Sequence, residues 1–360
     1  MVIPVRLGAR SYEIVVEAGA LAAVGPRLRA LGVGRRVVVL SNAAIVRVHG
    51  ARVVAGLEGA GFSVAVVEVP EGEPAKTLAV AEHCWEQCLR AGLDRTSTAV
   101  ALGGGTVGDL AGFVAATYMR GMNFVPVPTT VLAQVDASSG GKTAINHPKA
   151  KNLIGVFHQP RLVVVDPETT RSLPDREFRS GLAEIVKHGV VLDAAYFDEV
   201  ERDAAPLLGR DLAVLERIIG GSCRLKAGVV ERDEREAALR HVLNHGHTIG
   251  HALEASTHYE AWTHGEAVAL GMAAEGWLAH RLGVAAETTV RRTETLLVAL
   301  GLPVRAAGID ADAVVAAIAH DKKARDGRVP FVLAPSIGRF SLAYDVTADD
   351  VRAALAAIGA

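Results

Sequence analysis

Val100-Ala101-Leu102-Gly103-Gly104-Gly105-Thr106-Val107-Gly108-Asp109 passes from an unbroken apolar run into three consecutive glycines and then into a helical pattern. An apolar run without alternation is what a strand covered on both faces shows. Glycines at such a junction let the backbone approach a ligand closely. The helix start then offers free N–H groups and a positive dipole end to a phosphate. Two readings of the loop stand: a phosphate cradle, or a tight strand-to-helix turn. Gly103, Gly105 and Gly108 satisfy G-x-G-x-x-G, but Asp109 follows the third glycine and the strand is not the first of the chain. The passage therefore departs from the standard dinucleotide fingerprint.

Similar apolar runs lie at 14–16, 37–40, 64–69, 124–127 and 162–165, and helical patterns fill 21–31, 45–58, 78–91 and 110–118. This β–α alternation predicts a mainly parallel sheet with helices on both sides. From residue 172 onward helical patterns dominate, at 176–190, 196–202, 212–230, 242–255, 264–282 and 288–300, with one short apolar run at 330–333. The predicted architecture is an α/β N-terminal nucleotide-binding domain with a mainly parallel sheet over 1–172, followed by a mostly α-helical C-terminal domain over 173–360.

The chain has 360 residues, 38 basic and 40 acidic, for a formal net charge of -2. That balance gives no electrostatic reason to expect nucleic acid or an anionic membrane as partner. No apolar run reaches the length of a membrane span, and the N-terminus alternates like a strand rather than reading as a signal peptide. Three cysteines, Cys84, Cys88 and Cys223, argue against a disulfide framework. Cytoplasm is the expected location. Cys84 and Cys88 are four apart on a helical pattern and read as half-buried helix residues.

Two polar segments follow strands: Glu71-Gly72-Glu73-Pro74-Ala75-Lys76, and Pro128-Thr129-Thr130. Ligands of open α/β sheets gather outside the carboxyl ends of strands, so these segments and the glycine loop together predict a cofactor crevice. The stretch from Asp136 to Asn152 contains Gly140-Gly141-Lys142-Thr143 and Lys151-Asn152. Position 136 is Asp where a P-loop needs glycine, which disfavours a nucleoside triphosphatase. The stretch reads as a long loop without an element of its own, rich in donors suited to a carboxylate or phosphate.

Leu239-Arg240-His241-Val242-Leu243-Asn244-His245-Gly246-His247-Thr248-Ile249-Gly250-His251 reads as helix. Spacings of four, three and four place Arg240, Asn244, His247 and His251 on one face. Two histidines four apart are metal-ligand spacing, but no Glu follows either as in a zincin. His264 opens a further helix, and Glu184 and Lys187 are three apart on another. Two histidines plus a carboxylate would hold a catalytic metal. Spacing leaves open whether His247 or His251 is a ligand.

Taken in order, these motifs resemble 3-dehydroquinate synthase, a sugar-phosphate cyclase family. The resemblance covers nearly the whole chain, including Tyr118-Met119-Arg120-Gly121, Gly181-Leu182-Ala183-Glu184-Ile185-Val186-Lys187, His264-Gly265-Glu266-Ala267-Val268 and Asp321-Lys322-Lys323. It implies that Glu184, His247 and His264 bind a divalent metal, zinc or cobalt, and that His251 relays protons. It places NAD contacts on Glu71, Gly72, Glu73, Pro74, Ala75, Lys76, Gly105, Thr106, Val107, Gly108, Asp109, Thr129, Thr130, Lys142, Lys151, Thr169, Thr170, Arg171 and Ser172. It places substrate contacts on Asp136, Lys142, Asn152, Lys187, Lys226, Arg240, Asn244, His251 and Lys322, with Lys142, Lys187, Lys226, Arg240, Asn244 and His251 as catalytic groups. Arg120 is implied to reach a neighbouring subunit, hence a homodimer. Two departures stand out: Ser41-Asn42 replaces the usual Thr-Asp, and His245 replaces an apolar or aromatic residue.

The implied reaction converts 3-deoxy-D-arabino-heptulosonate 7-phosphate to 3-dehydroquinate and phosphate. It runs through transient NAD oxidation, β-elimination, re-reduction and intramolecular aldol closure, a step of the shikimate pathway. The rivals are sister cyclases (2-deoxy-scyllo-inosose, epi-valiolone or aminodehydroquinate synthases) and, in another class, a metal-dependent polyol dehydrogenase that accumulates NADH.

Overall fold

A computed structural model describes residues 1–319 and 329–359. The chain divides into two compact units, Met1–Leu173 with Leu215–Arg235, and Pro174–Val214 with Glu236–Ala360. The segment Leu215–Arg235 belongs to the long Leu212–Arg232 helix and its end, yet groups with the first unit. Helical periodicity alone gives no sign of that.

The first unit holds β1 (Val2–Val5), β2 (Tyr12–Val16), β3 (Arg36–Ser41), β4 (Ser63–Glu68), β5 (Thr98–Gly103), β6 (Asn123–Pro128), β7 (Lys142–His147), β8 (Ala150–Phe157) and β9 (Val163–Val165). Strands β4-β3-β5-β6 form a parallel sheet in that order. Successive residues point to opposite faces. Val37, Val39, Val100 and Leu102 pack with Leu28, Val53 and Leu57 from helices Val24–Ala30 and Ala51–Gly59. Val38, Leu40, Ala99 and Ala101 pack with Cys84, Cys88, Leu110 and Val114 from helices Leu78–Arg90 and Gly105–Thr117. Both faces of β3 and β5 are covered, which is why they read as unbroken apolar runs, whereas edge strand β4 leaves Val66 exposed. Each buried Val or Leu contributes roughly 1.5–3 kcal/mol. Burial pushes the Cys84 thiol up to about 12 and Cys88 to about 11, so both are packing groups.

The order reverses between β3 and β5, a switch point where the loops after the two strands diverge. The glycine loop ends β5 there, and the Ser41 hydroxyl donates to Leu102 O at 2.7 Å across it. The stretch expected as a long loop instead contains the antiparallel hairpin β7–β8. Ile145, fully buried in the core beside Leu110, anchors it. The many polar residues around that one anchor conceal the strand pattern in sequence.

The second unit contains helices Asp175–Leu192, Ala194–Arg202, Ala204–Leu208, His247–Ser256, His264–Arg281, Glu287–Ala299, Ala311–Ala319 and Ala348–Ile358, and the hairpin β10 (Phe331–Leu333) with β11 (Ser341–Ala343). Ile249, Leu253, Leu270, Ala274, Leu278, Phe331, Leu333 and Leu355 share its core. The single helix expected through 239–254 is not continuous. A 3-10 turn, Leu239–Asn244, is followed by His245 and by Gly246 at φ 77, and the α-helix starts at His247. Arg240 and Asn244 therefore do not share a helical face with His247 and His251. The break is steric. A Cβ on Gly271 would lie 1.9 Å from Gly246 O, and one on Gly246 would meet Val268 O at 2.7 Å. The His264–Arg281 helix packs so closely on the turn that only glycine fits at either position.

Candidate metal centre and nucleotide loops

The break at Gly246 places His247 in the first turn of its helix, and His264 opens another. Thr263 and Glu266 cap that second helix reciprocally. Glu184 projects from the Asp175–Leu192 helix and is fully buried. Ligand atoms of Glu184, His247 and His264 all lie within 4.8 Å of one another. Glu184 Oε1 is 3.3 Å from His247 Nε2 and 3.6 Å from His264 Nε2.

Both imidazoles are oriented through their other nitrogen. His247 Nδ1 donates to His245 O at 3.1 Å, and His264 Nδ1 donates to Glu254 Oε2 at 3.2 Å. Each Nε2 thus faces Glu184, the arrangement that metal-binding histidines use to fix tautomer and ring angle. Glu184 also pairs with Lys187, whose Nζ donates to Leu243 O at 2.7 Å. Burial opposes ionisation of Glu184, but the Lys187 ammonium and then the imidazoles hold it well below the usual carboxylate range. Burial, reinforced by Lys187, holds His247 below its ordinary value and keeps it neutral. Burial also opposes charge on His264, yet Glu184 and Glu254 outweigh it and push the imidazolium up to about 10. The same two carboxylates would favour a divalent cation in place of that proton. The donor set of two imidazoles and one carboxylate suits zinc or cobalt.

His251, one turn after His247, lies beside both ligand rings at centroid distances of 5.1 and 5.9 Å. His251, Glu254 and His264 form a second, less buried grouping. Glu254 is already engaged with His264 Nδ1, which favours the buried set as the cation site. Arg240 is buried, and Asn244 Nδ2 lies 3.4 Å from Glu236 Oε1.

In the first unit, Gly104 precedes the Gly105–Thr117 helix without any side-chain cap. The first N–H groups of that helix are left for a ligand or solvent. A cleft of about 370 Å³, counting space open to solvent, is lined by Gly103, Gly104, Gly105, Gly108 and Lys142 among others. Lys76 is buried and donates to Asp109 Oδ2 at 2.7 Å and to Asn152 Oδ1. Burial pushes Asp109 up against the pull of Lys76. Asn152, at φ 53, donates its backbone N–H to Asn146 Oδ1 at 2.9 Å, while Asn146 Nδ2 reaches Glu73 Oε2 at 2.6 Å. Glu73, Lys76, Asp109, Asn146 and Asn152 are therefore one hydrogen-bonded cluster.

Lys226 is buried and pairs with Asp136 Oδ1 at 2.6 Å, so these two expected substrate residues meet. Thr129 N donates to Gly103 O at 3.0 Å, and the Thr130 hydroxyl caps Ala133 N at 3.1 Å. Thr169, Thr170 and Ser172 spend their hydroxyl protons on Asp166 O, Pro167 O and Thr169 O. Arg171, Lys142 and Arg120 are exposed, Arg120 on a turn at φ 65. Lys322 lies outside the described residues. Sequence reasoning missed Glu254, Asn146 and Glu275. Glu254 has a signal, standing seven residues after His247 on the same helix. The other two act across the fold and have none.

These features define a metal-binding, nucleotide-linked enzyme built from an α/β unit and a helical unit. Residues 66–180 match the 3-dehydroquinate synthase N-terminal family and residues 181–324 its C-terminal family. The chain belongs to the 3-dehydroquinate synthase family, whose members eliminate phosphate and close a ring as lyases. A 3-dehydroquinate synthase of Geobacter metallireducens is 51% identical over 338 residues, covering 94% of each chain. Among solved structures, 2-epi-5-epi-valiolone synthase of Streptomyces hygroscopicus, with NAD+ and Zn2+ bound, is 29% identical at TM-score 0.89, covering 96% of each chain. A 2-deoxy-scyllo-inosose synthase complexed with carbaglucose-6-phosphate, NAD+ and Co2+ is 26% identical at TM-score 0.86, covering 99% of each chain. No described helix is long and apolar enough to cross a membrane.

Proposed function

We propose that the protein converts 3-deoxy-D-arabino-heptulosonate 7-phosphate to 3-dehydroquinate and phosphate, using NAD and a divalent cation, zinc or cobalt. The observation that carries the chemistry is the buried Glu184–His247–His264 set with both Nε2 atoms turned inward. The choice among cyclases rests on 51% identity to a dehydroquinate synthase against 29% and 26% to the sister cyclases.

When bound, the cation would supply polarisation of a substrate oxygen, and NAD would supply a hydride acceptor that ends the cycle unchanged. Glu184, His247 and His264 hold the cation, and Lys187 keeps Glu184 ionised. His251, beside the His247 and His264 rings, would take a proton from a substrate hydroxyl and return one later. Arg240, Asn244 and Lys226 bind the anionic groups of the substrate, Asp136 holds Lys226 in place, and Lys142, Asn152 and Lys322 complete that set. The glycine loop, with Lys76, Asp109, Thr129, Thr130, Lys151 and the 169–172 turn, holds the nucleotide. On this reading residues 1–172 hold NAD and also lend Asp136, Lys142 and Asn152 to the substrate set, and residues 173–360 hold the metal and the other substrate contacts. A homodimer in the cytoplasm completes it, with exposed Arg120 reaching the second copy.

Purified protein incubated with the heptulosonate phosphate, zinc and catalytic NAD is expected to release one phosphate per substrate without net NADH. Stoichiometric NADH without phosphate would mean a simple dehydrogenase. Faster phosphate release from glucose 6-phosphate would mean a sister cyclase. Gel filtration at twice the protomer mass tests the dimer.

A further inference from the structure

Glu275 is fully buried on the His264–Arg281 helix. Its Oε2 accepts from Gly246 N at 2.7 Å, while Oε1 has no hydrogen-bond partner among the described residues. A buried carboxylate so sparsely satisfied is costly and calls for a reason. Gly246 N and His245 O are the two ends of one trans peptide. The His245 end accepts from Nδ1 of His247 at 3.1 Å. The His245 side chain is held in turn, with Nδ1 donating to Val332 O at 2.7 Å and lying 3.3 Å from Glu275 Oε2.

From this chain of contacts we propose that Glu275 is a positioning residue for the metal centre, acting on His247 through the His245–Gly246 peptide. The inference rests on the reading of Glu184, His247 and His264 as cation ligands. A planar peptide gripped at its N–H has a fixed carbonyl direction, so the ring bonded to that carbonyl is fixed as well. A carboxylate on the N–H end also polarises the peptide and strengthens the carbonyl as an acceptor. The imidazole Nε2 is thereby made a better donor to a cation. The two histidines thus have parallel supports of different length. Glu254 grips His264 directly, whereas Glu275 grips His247 through one peptide.

The test compares wild type, Glu275→Gln, Glu275→Ala and His247→Ala for zinc affinity by chelator competition and for the visible absorption of the cobalt-loaded protein. Thermal unfolding of the metal-free proteins reports the fold. Glu275→Gln keeps an oxygen for Gly246 N–H but removes the charge. It is expected to fold like wild type, to bind zinc roughly 10-fold more weakly and to shift the cobalt bands. Glu275→Ala is expected to lose at least as much. Unchanged zinc affinity and cobalt bands in Glu275→Gln would overturn the proposal and leave a packing role. If His247→Ala binds zinc as wild type does, the ligand assignment itself fails, which is a separate result.

Discussion

The rings of His247 and His251 meet edge to face, with centroids 5.1 Å apart and planes inclined at 87°. One helical turn separates them; His247 turns its Nε2 to Glu184 at 3.3 Å, while His251 groups with Glu254 and His264. His247→Ala is therefore expected to lower bound zinc to under about a tenth of the wild-type content, measured by elemental analysis. His251→Ala is expected to keep the metal and lose roughly 10²–10⁴ in kcat, the range of a proton-transfer group. Equal metal in wild type and His247→Ala would refute the division.

The Asp136–Lys226 pair gives a stability test. Asp136→Ala removes the carboxylate from the buried Lys226 ammonium, which keeps its bond to the backbone O of residue 136, and is expected to cost roughly 1.5–3 kcal/mol in denaturant unfolding. Lys226→Met removes the buried charge and is expected to cost less. Both are expected to lose phosphate release. A larger loss of stability in Lys226→Met would show that the pair is not the determining contact.

Gly246 and Gly108 make opposite predictions for the same change. Gly246 sits at φ 77 with Val268 O and Met272 against its missing side chain. Gly246→Ala is expected to destabilise by at least about 2 kcal/mol, since left-handed backbone alone costs about 1–2. Gly108 lies inside a helix with nothing within 4 Å of an added Cβ. Gly108→Ala is expected to stabilise the fold by up to about 1 kcal/mol while weakening NAD binding. Thermal unfolding and NAD titration read the two effects separately.

His158 sets an acid limit on the first unit. Burial holds its imidazole below the ordinary value of 6.5 against the raising effect of the Nε2 bond to Met122 O. The unfolded chain therefore binds a proton that the folded chain refuses. Stability is expected to be full above pH 6.5 and to fall as pH drops below it towards the folded value. His158→Gln is expected to flatten that fall in denaturant titrations from pH 7.5 to 5, and an unchanged slope would exclude His158 as its source.

Local pattern carried much of this protein. Val37 through Leu40 and Val100 through Leu102 are apolar at every position because helices cover both faces of their sheet, and that composition is visible along the chain. The residues Glu184, His247 and His264, and the glycines after β5, are likewise legible as chemistry-bearing types in motif order. What spacing could not give is the division of the histidine face. The run from Leu239 to His251 has helical periodicity, but Gly271 on another helix comes so close to Gly246 that the chain must turn there. The break rotates Arg240 and Asn244 off the His247 line. The hairpin at Lys142–Phe157 was likewise hidden, because the buried residues of its first strand are Ile145 and the polar Thr143. Partners such as Asn146 and Glu275 were decided by tertiary structure alone. A hydrogen bond fixes a ring only when two segments are held within about 3 Å. For Gly246 and Glu275 that distance comes from packing of the turn against the His264–Arg281 helix. The sequence by itself determined which chemistry-bearing residue types the chain carries in motif order, and tertiary packing decided where the histidine face breaks, because the Gly246 turn and Gly271 come into contact.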